Sequence, residues 1–178
     1  MARTPNLTVH TLGPVGTNCE AAAHHWLDRQ GLTDHAVVLH PTLEKAAEVV
    51  KAEADGHVLL GCVVYPDLHH LVFRNLGTLR MLECFVLDTW SMVVAGDMSA
   101  PRPRVASHPA PADLLGEWRP EIVLVDSNSE AALLCAEGKT DACVTTSVAA
   151  DAAGLPVVKD FGPVPMGFSI HGRSRSAA

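Results

Sequence analysis

The chain has 178 residues, 48% apolar and 19% charged, with a mean hydropathy of +0.17; this is ample material for a buried core and excludes a disordered chain, which would be polar and highly charged. Thirteen Lys plus Arg stand against 20 Asp plus Glu, a formal charge of −7, and no basic block offers a surface to nucleic acid or an anionic membrane. Every apolar run is broken by a charge, His, Gly or Pro well before the roughly 18 residues of a membrane span, and the opening segment carries only Arg3 as a basic side chain, so no secretory signal is expected.

In chain order, Leu7–Leu12 reads as a strand and Gly13-Pro14-Val15-Gly16 as a tight loop. Thr17–Arg29 reads as a helix with Ala21, Ala22, His25 and Trp26 on one face, and Thr17 with Glu20 makes a capping box. Ala36–His40 is a second strand, and Thr42–Ala54 a second helix with Leu43, Ala46, Ala47 and Val50 at helical spacing. Val58–Tyr65 is a continuous apolar run of the buried-strand kind. Leu79–Leu87 and Met92–Ala95 are further strands around Asp88-Thr89-Trp90. Gly96–Arg104 combines Gly, Ser, Pro and Arg as a loop. Arg104–Ala106 is then a strand, Ser107-His108-Pro109 a turn, Ala112–Glu117 a short helix and Ile122–Val125 a strand. Ser127-Asn128-Ser129 caps a helix over Glu130–Glu137, which Gly138 ends. Ala142–Thr145 is a strand, Ser147–Ala153 a helix ended by Gly154, and Val157–Phe161 and Met166–Ile170 are strands before a frayed tail, His171–Ala178.

Strand–helix–strand units with apolar strands predict an α/β fold whose helices cover both sheet faces. The length and the two long central strands predict two small lobes, about 1–86 plus 162–178 and about 87–161. The five cysteines, Cys19, Cys62, Cys84, Cys135 and Cys143, are odd in number and never form CxxC. That argues against a disulfide scaffold or a zinc site and favours a reducing cytoplasm. The pairs His24-His25 and His69-His70 suit a metal poorly, because neighbours on a helix point about 100° apart.

Junctions from a strand end through small polar residues to a helix start occur at Gly13–Asn18, Ser107-His108-Pro109, Ser127-Asn128-Ser129-Glu130 and Thr145-Thr146-Ser147. First-turn N–H groups and the positive end of a helix dipole make such junctions anion sites, and α/β ligands sit beyond the carboxyl ends of the strands. A ligand with more than one carboxylate would be held there without an arginine cluster. Each junction alone is also what an ordinary helix cap looks like.

These residues resemble a known family. Leu12-Gly13-Pro14-Val15-Gly16-Thr17-Asn18 followed by Glu20-Ala21-Ala22 is similar to the opening motif of prephenate dehydratases. Ala106-Ser107-His108-Pro109 with Ala112, Ser127-Asn128-Ser129-Glu130-Ala131-Ala132, and Ala149-Ala150 with Gly154-Leu155 resemble that family's later motifs, in the same order over about residues 7–172. The resemblance implies one catalytic domain over 1–178, folded in two lobes like a type II periplasmic binding protein, with substrate in the cleft between them. Dehydratases carry a Thr-Arg-Phe motif whose Thr is the acid for the leaving hydroxyl; Pro165-Met166-Gly167-Phe168 stands in its place, and a thioether has no proton to give. Their Pro-Ile-Glu-Asn-Ser segment is replaced by Val64-Tyr65-Pro66-Asp67, and with the chain ending at Ala178 no regulatory ACT domain is expected. The Pro-Met-x-aromatic segment, Asp88-Thr89 and the second proline Pro111 are similar to the bacilysin-pathway prephenate decarboxylase and its relatives in antibiotic biosynthesis.

What the resemblance implies is a cytoplasmic, cofactor-free and metal-free lyase on a prephenate-like dicarboxylate, alone or as a homodimer. The leading activity is non-aromatising decarboxylation; the alternatives are a dehydratase-like lyase and an inactive binding module. Gly16, Thr17 and Asn18 are expected to hold a carboxylate, and Ser107 and Ser129 the pyruvyl end. Thr17 and His108 are the candidates for chemistry, His108 because imidazole titrates near neutrality. Ser127, Asn128, Thr145 and Thr146 line the pocket, while Met166 and Phe168 either shape its wall or belong to the core.

Overall fold

The computed structural model describes residues 7–174 apart from Leu32 and Ala54. The helix end expected at Ala54 and the last residues of the expected tail, 175–178, lie outside the described residues. The chain divides into two compact units, Met1–Leu87 with Pro165–Ala178, and Asp88–Val164.

In the first unit β1 (Leu7–Leu12), α1 (Asn18–Arg29), β2 (His35–His40), α2 (Leu43–Ala52), β3 (His57–Cys62), α3 (Leu68–Arg74) and β4 (Leu79–Asp88) follow one another. β10 (Pro165–Arg173) joins the same sheet, in the order β2-β1-β3-β10-β4. β1 is parallel to β2 and β3, with Leu7 opposite His35 and Thr8 opposite His57, which requires the crossover helices α1 and α2. β10 is antiparallel to β3, with Phe168 opposite Cys62, so it begins at the edge where β1 and β3 end. Strand alternation sends Val9, Leu60, Phe168 and Ile170 to pack with Ala22, Trp26 and Leu27 of α1. Leu59 packs with Leu43, Ala46 and Val50 of α2 and Leu71 of α3.

The second unit holds β5 (Met92–Gly96), β6 (Arg104–Ser107), a kinked 3-10 stretch (Ala112–Trp118), β7 (Glu121–Leu124), α4 (Asn128–Ala136), β8 (Ala142–Thr146), α5 (Ser147–Ala152) and β9 (Val157–Asp160). Its sheet order is β7-β6-β8-β5-β9. β6 is parallel to β7 and β8, so Ser107, Leu124 and Thr146 end at one edge of the sheet. Small side chains (Ala95, Ala106, Ala131, Ala132, Ala150) make up much of the core under α4 and α5. Met92, Val94, Val105 and Val144 pack with Leu115 in a separate cluster.

The structure corrects four sequence expectations. The apolar run Val58–Tyr65 is a strand only to Cys62, because the Tyr65 N–H turns back to the Cys62 carbonyl at 3.0 Å; Val63 and Val64 are exposed. A helix, α3, follows over Leu68–Arg74, where the sequence predicts no element; its N-cap residue Asp67 makes no side-chain cap bond. His25 is exposed, since the buried stripe of α1 is Cys19, Ala22, Ala23, Trp26 and Leu27, an i, i+3, i+4 pattern that leaves position 25 outside. The chain is not frayed from His171: β10 continues to Arg173, and buried His171 bonds Ser169 Oγ through Nε2 at 2.9 Å. Among the described residues no helix is long and apolar enough to cross a membrane.

Three imidazoles lie in line across the first sheet. His10 Nδ1 is 2.9 Å from His40 Nε2, and His10 Nε2 is 2.9 Å from His57 Nδ1. Burial, then the neighbouring imidazoles of His40 and His57, lowers the His10 pKa from 6.5 to about 4; burial lowers that of His40 too. The unfolded chain therefore binds a proton near pH 6.5 that the folded chain refuses until about pH 4, so stability falls as pH drops through that window. Urea unfolding at pH 5 is expected to show on the order of 1–2 kcal/mol less stability than at pH 7, and His10→Gln is expected to flatten that dependence.

Candidate active site

Four N–H groups at the start of every helix lack a partner inside it; what satisfies them decides what the strand-to-helix junctions can bind. In the first unit, Gly13 N–H bonds the His40 carbonyl at 2.8 Å. Gly16 takes φ of 81°, open to glycine without strain, and delivers the chain to Thr17. Thr17 Oγ1 accepts the Glu20 N–H and donates to the Leu12 carbonyl, both at 3.4 Å. The Glu20 carboxylate accepts from Gly16 N–H at 2.5 Å, so the capping box closes one residue before Thr17. Asn18 follows as the first residue of α1, partly buried.

The second unit repeats this device. Ser127 Oγ accepts the Glu130 N–H at 3.1 Å, and Glu130 Oε2 accepts the Asp126 N–H at 2.9 Å. Thr145, fully buried at the end of β8, donates to the Asn128 carbonyl at 2.6 Å, tying the first residue of α4 to the sheet. The Asn128 amide leans through Nδ2 on Met92 Sδ at 4.0 Å, and its buried Oδ1 has no hydrogen-bond partner among the described residues. Ser129 is partly buried one residue further along α4. Thr146 caps α5 by accepting from Ala149 N–H at 3.2 Å.

Ser107 is fully buried and spends its hydroxyl on the His108 carbonyl at 2.8 Å, while its own carbonyl accepts from Val125 N–H. His108 Nδ1 accepts the Ala110 N–H at 3.2 Å. That bond places the proton of a neutral ring on Nε2. Burial lowers the His108 pKa and Asp126 opposes the shift, which reduces the imidazolium available as an acid near neutrality.

Ser107, the Ser127–Ser129 turn and Thr145-Thr146 share the carboxyl edge of the second sheet, and Gly16, Thr17 and Asn18 follow the carboxyl end of β1 in the first. Met166 lies at the corresponding edge of the first sheet, at the start of β10. Phe168 is core: it is 1% exposed and stacked on Phe85 with ring centroids 5.7 Å apart. A Cβ at Gly167 would sit 3.0 Å from Val63 Cγ1, so this strand position presses against β3's continuation.

Two cysteines that no sequence motif marks also lie at this edge of the first sheet. Cys19 is the second residue of α1 and Cys62 the last of β3. Donation to Cys62 and burial raise the Cys19 thiol well above its ordinary value, whereas acceptance from Cys19 and from Val64 N–H lowers that of Cys62. A cysteine among apolar neighbours looks like a small hydrophobe, and no CxxC spacing marks the pair. The His69 and His70 rings are tilted by 46° with centroids 4.0 Å apart, and among the described residues no group of three His, Cys, Asp or Glu is placed to hold a metal. A hollow of about 240 Å³, lined by Leu71, Leu76, Leu79, Arg80, Met81 and His171, contains none of the expected site residues.

The two α/β units, each with helices starting at the carboxyl edge of its parallel strands, define a periplasmic-binding-protein-like domain of the Venus flytrap kind. Solved structures agree in fold. The periplasmic VFT2 domain of Bordetella pertussis BvgS is 22% identical with a TM-score of 0.56, over 96% of this chain and 81% of that one. A periplasmic His/Glu/Gln/Arg/opine family-binding protein from Silicibacter pomeroyi is 13% identical with a TM-score of 0.54, over 96% and 84%. No protein-family model matches the chain. A curated relative, prephenate decarboxylase of Bacillus subtilis (strain 168), is 31% identical over 181 aligned residues covering 94% of this chain and 87% of its own. The chain belongs to the prephenate decarboxylase family.

Thr145→Val removes the hydroxyl that satisfies the Asn128 carbonyl. It is expected to lower stability by about 1–2 kcal/mol in thermal or urea unfolding, and the same loss should not follow from Ser129→Ala, whose hydroxyl caps neither α4 nor the sheet.

Proposed function

We propose that the chain is a carboxy-lyase that releases CO2 from prephenate without making the ring aromatic. The observation that carries this is the 31% identity with a prephenate decarboxylase across nearly the whole chain. Prephenate carries a ring carboxylate, a pyruvyl side chain and a doubly allylic hydroxyl. Protonating the hydroxyl expels water together with CO2 and yields an aromatic ring. Losing CO2 alone requires that the hydroxyl receive no proton and that a ring carbon receive one, and a general acid acts only within about 2.6–3.2 Å of its target.

The chemistry of the junctions supports this reading. In the first unit Gly16, Thr17 and Asn18 serve a carboxylate, with the Thr17 cap fixing the direction of the α1 dipole. In the second, the first-turn N–H groups of Asn128 and Ser129 are the donors suited to an anion, held in place by Thr145 and by the Ser127 cap. The hydroxyls of Ser107, Ser127, Thr145 and Thr146 are engaged with the backbone, so their part is to position N–H donors. His108, whose Nδ1 accepts from Ala110 and whose neutral ring therefore carries its hydrogen on Nε2, serves as a hydrogen-bond donor. Met166 brings no acid hydrogen near the hydroxyl. All five cysteines are free thiols, which fits a reducing compartment, and we assign the enzyme to the cytoplasm.

Incubation with prephenate is expected to release CO2 and give a non-aromatic keto acid; the aromatic absorbance of phenylpyruvate would mean dehydration, and binding without turnover an inactive module. Thr17→Val is expected to raise KM for prephenate about tenfold or more while costing about 1 kcal/mol of stability through the lost cap; unchanged kinetics would remove Thr17 from the site. Met166→Thr is expected to make no phenylpyruvate, because Gly167, closed in by Val63, still supplies no cationic partner. Rapid phenylpyruvate formation by that variant would show that one hydroxyl suffices for dehydration.

A further inference from the structure

Three sulfur side chains meet at the carboxyl edge of the first sheet, beside the Gly13–Thr17 junction. Cys62 ends β3, Met166 opens β10, and Cys19 lies two residues after the Thr17 cap. The Cys62 thiol donates to Met166 Sδ at 3.1 Å and accepts from Cys19. Cys62 is faced by Cys19 from α1, Met166 from β10 and the Val64 N–H, while Thr11 of β1 reaches Cys19.

Decarboxylation leaves an electron pair that must be quenched. As the bond between the ring and its carboxylate breaks, CO2 departs, the pair moves into the ring diene, and a ring carbon takes up one proton. Met166 has none to give, which leaves the Thr17 hydroxyl and the thiols as the hydrogen-bearing groups of this edge. A thiol, whose ordinary pKa is near 9, is far more acidic than any threonine hydroxyl. We propose that the Cys62 thiol is the proton donor to the ring carbon, an assignment that rests on the decarboxylase reading above. The thiolate left behind is held by the Cys19 thiol and the Val64 N–H, and takes a proton from water before the next turnover. The same two donors lower the Cys62 pKa below its ordinary value against the opposing effect of burial, which favours release of the proton.

Cys62→Ser keeps the size and hydrogen-bonding capacity of the side chain but removes its acidity. Assayed with prephenate, it is expected to lose about 100-fold in kcat, with KM and melting temperature close to those of the unaltered chain. The kcat of the unaltered chain is expected to fall as pH rises through the pKa of the thiol, a readout that needs no variant to fold. A Cys62→Ser enzyme with wild-type kcat, or an unaltered enzyme whose kcat stays flat into alkaline pH, overturns the assignment alone. An unaltered chain that releases no CO2 from prephenate overturns the decarboxylase reading and this assignment with it.

Discussion

A carboxylate folded back on the backbone just ahead of its own helix is the contact on which both units depend. Glu20 takes the Gly16 N–H and Glu130 the Asp126 N–H, and a hydroxyl cap follows each, Thr17 and Ser127. The two bonds close the entry turn without drawing on the first N–H groups of the helix itself. Each helix thus starts rigidly at the carboxyl edge of a parallel sheet with its positive end directed outward. We propose that these turns hold an anion by backbone geometry, in a chain that carries a net negative charge.

The buried hydroxyls are best understood as supports for that arrangement. Ser107, Thr145 and Thr146 are hidden, and each is bonded to main chain. Their value lies in fixing where amides point, because a buried hydroxyl with a satisfied bond resists being moved. Thr145 matters most in this respect: it couples the end of β8 to the first residue of α4, so a shift in one is a shift in the other.

Much of this was legible in the sequence because the determinants are local. Thr17 and Ser127, each with Glu three residues on, announce their helices, and the apolar strands announce a parallel sheet. The failures share a physical cause, dependence on contacts distant in the chain. Cys62 could not be told from a core hydrophobe until β10 brought Met166 against it and α1 brought Cys19. His171 becomes a strand residue only because β3 offers Leu59 as its partner. The length of β3 was misjudged for the opposite reason: a local turn at Tyr65 overrides an apolar run that composition alone would extend.

The row of imidazoles on β2, β1 and β3 carries a polarity of its own. A neutral ring has one hydrogen and one lone pair, so His10 must give to one neighbour what it receives from the other. The tautomers of His40 and His57 are thereby bound to one another through the middle ring. A substitution at one outer strand would set the proton's place two strands away, with no movement of the backbone between them.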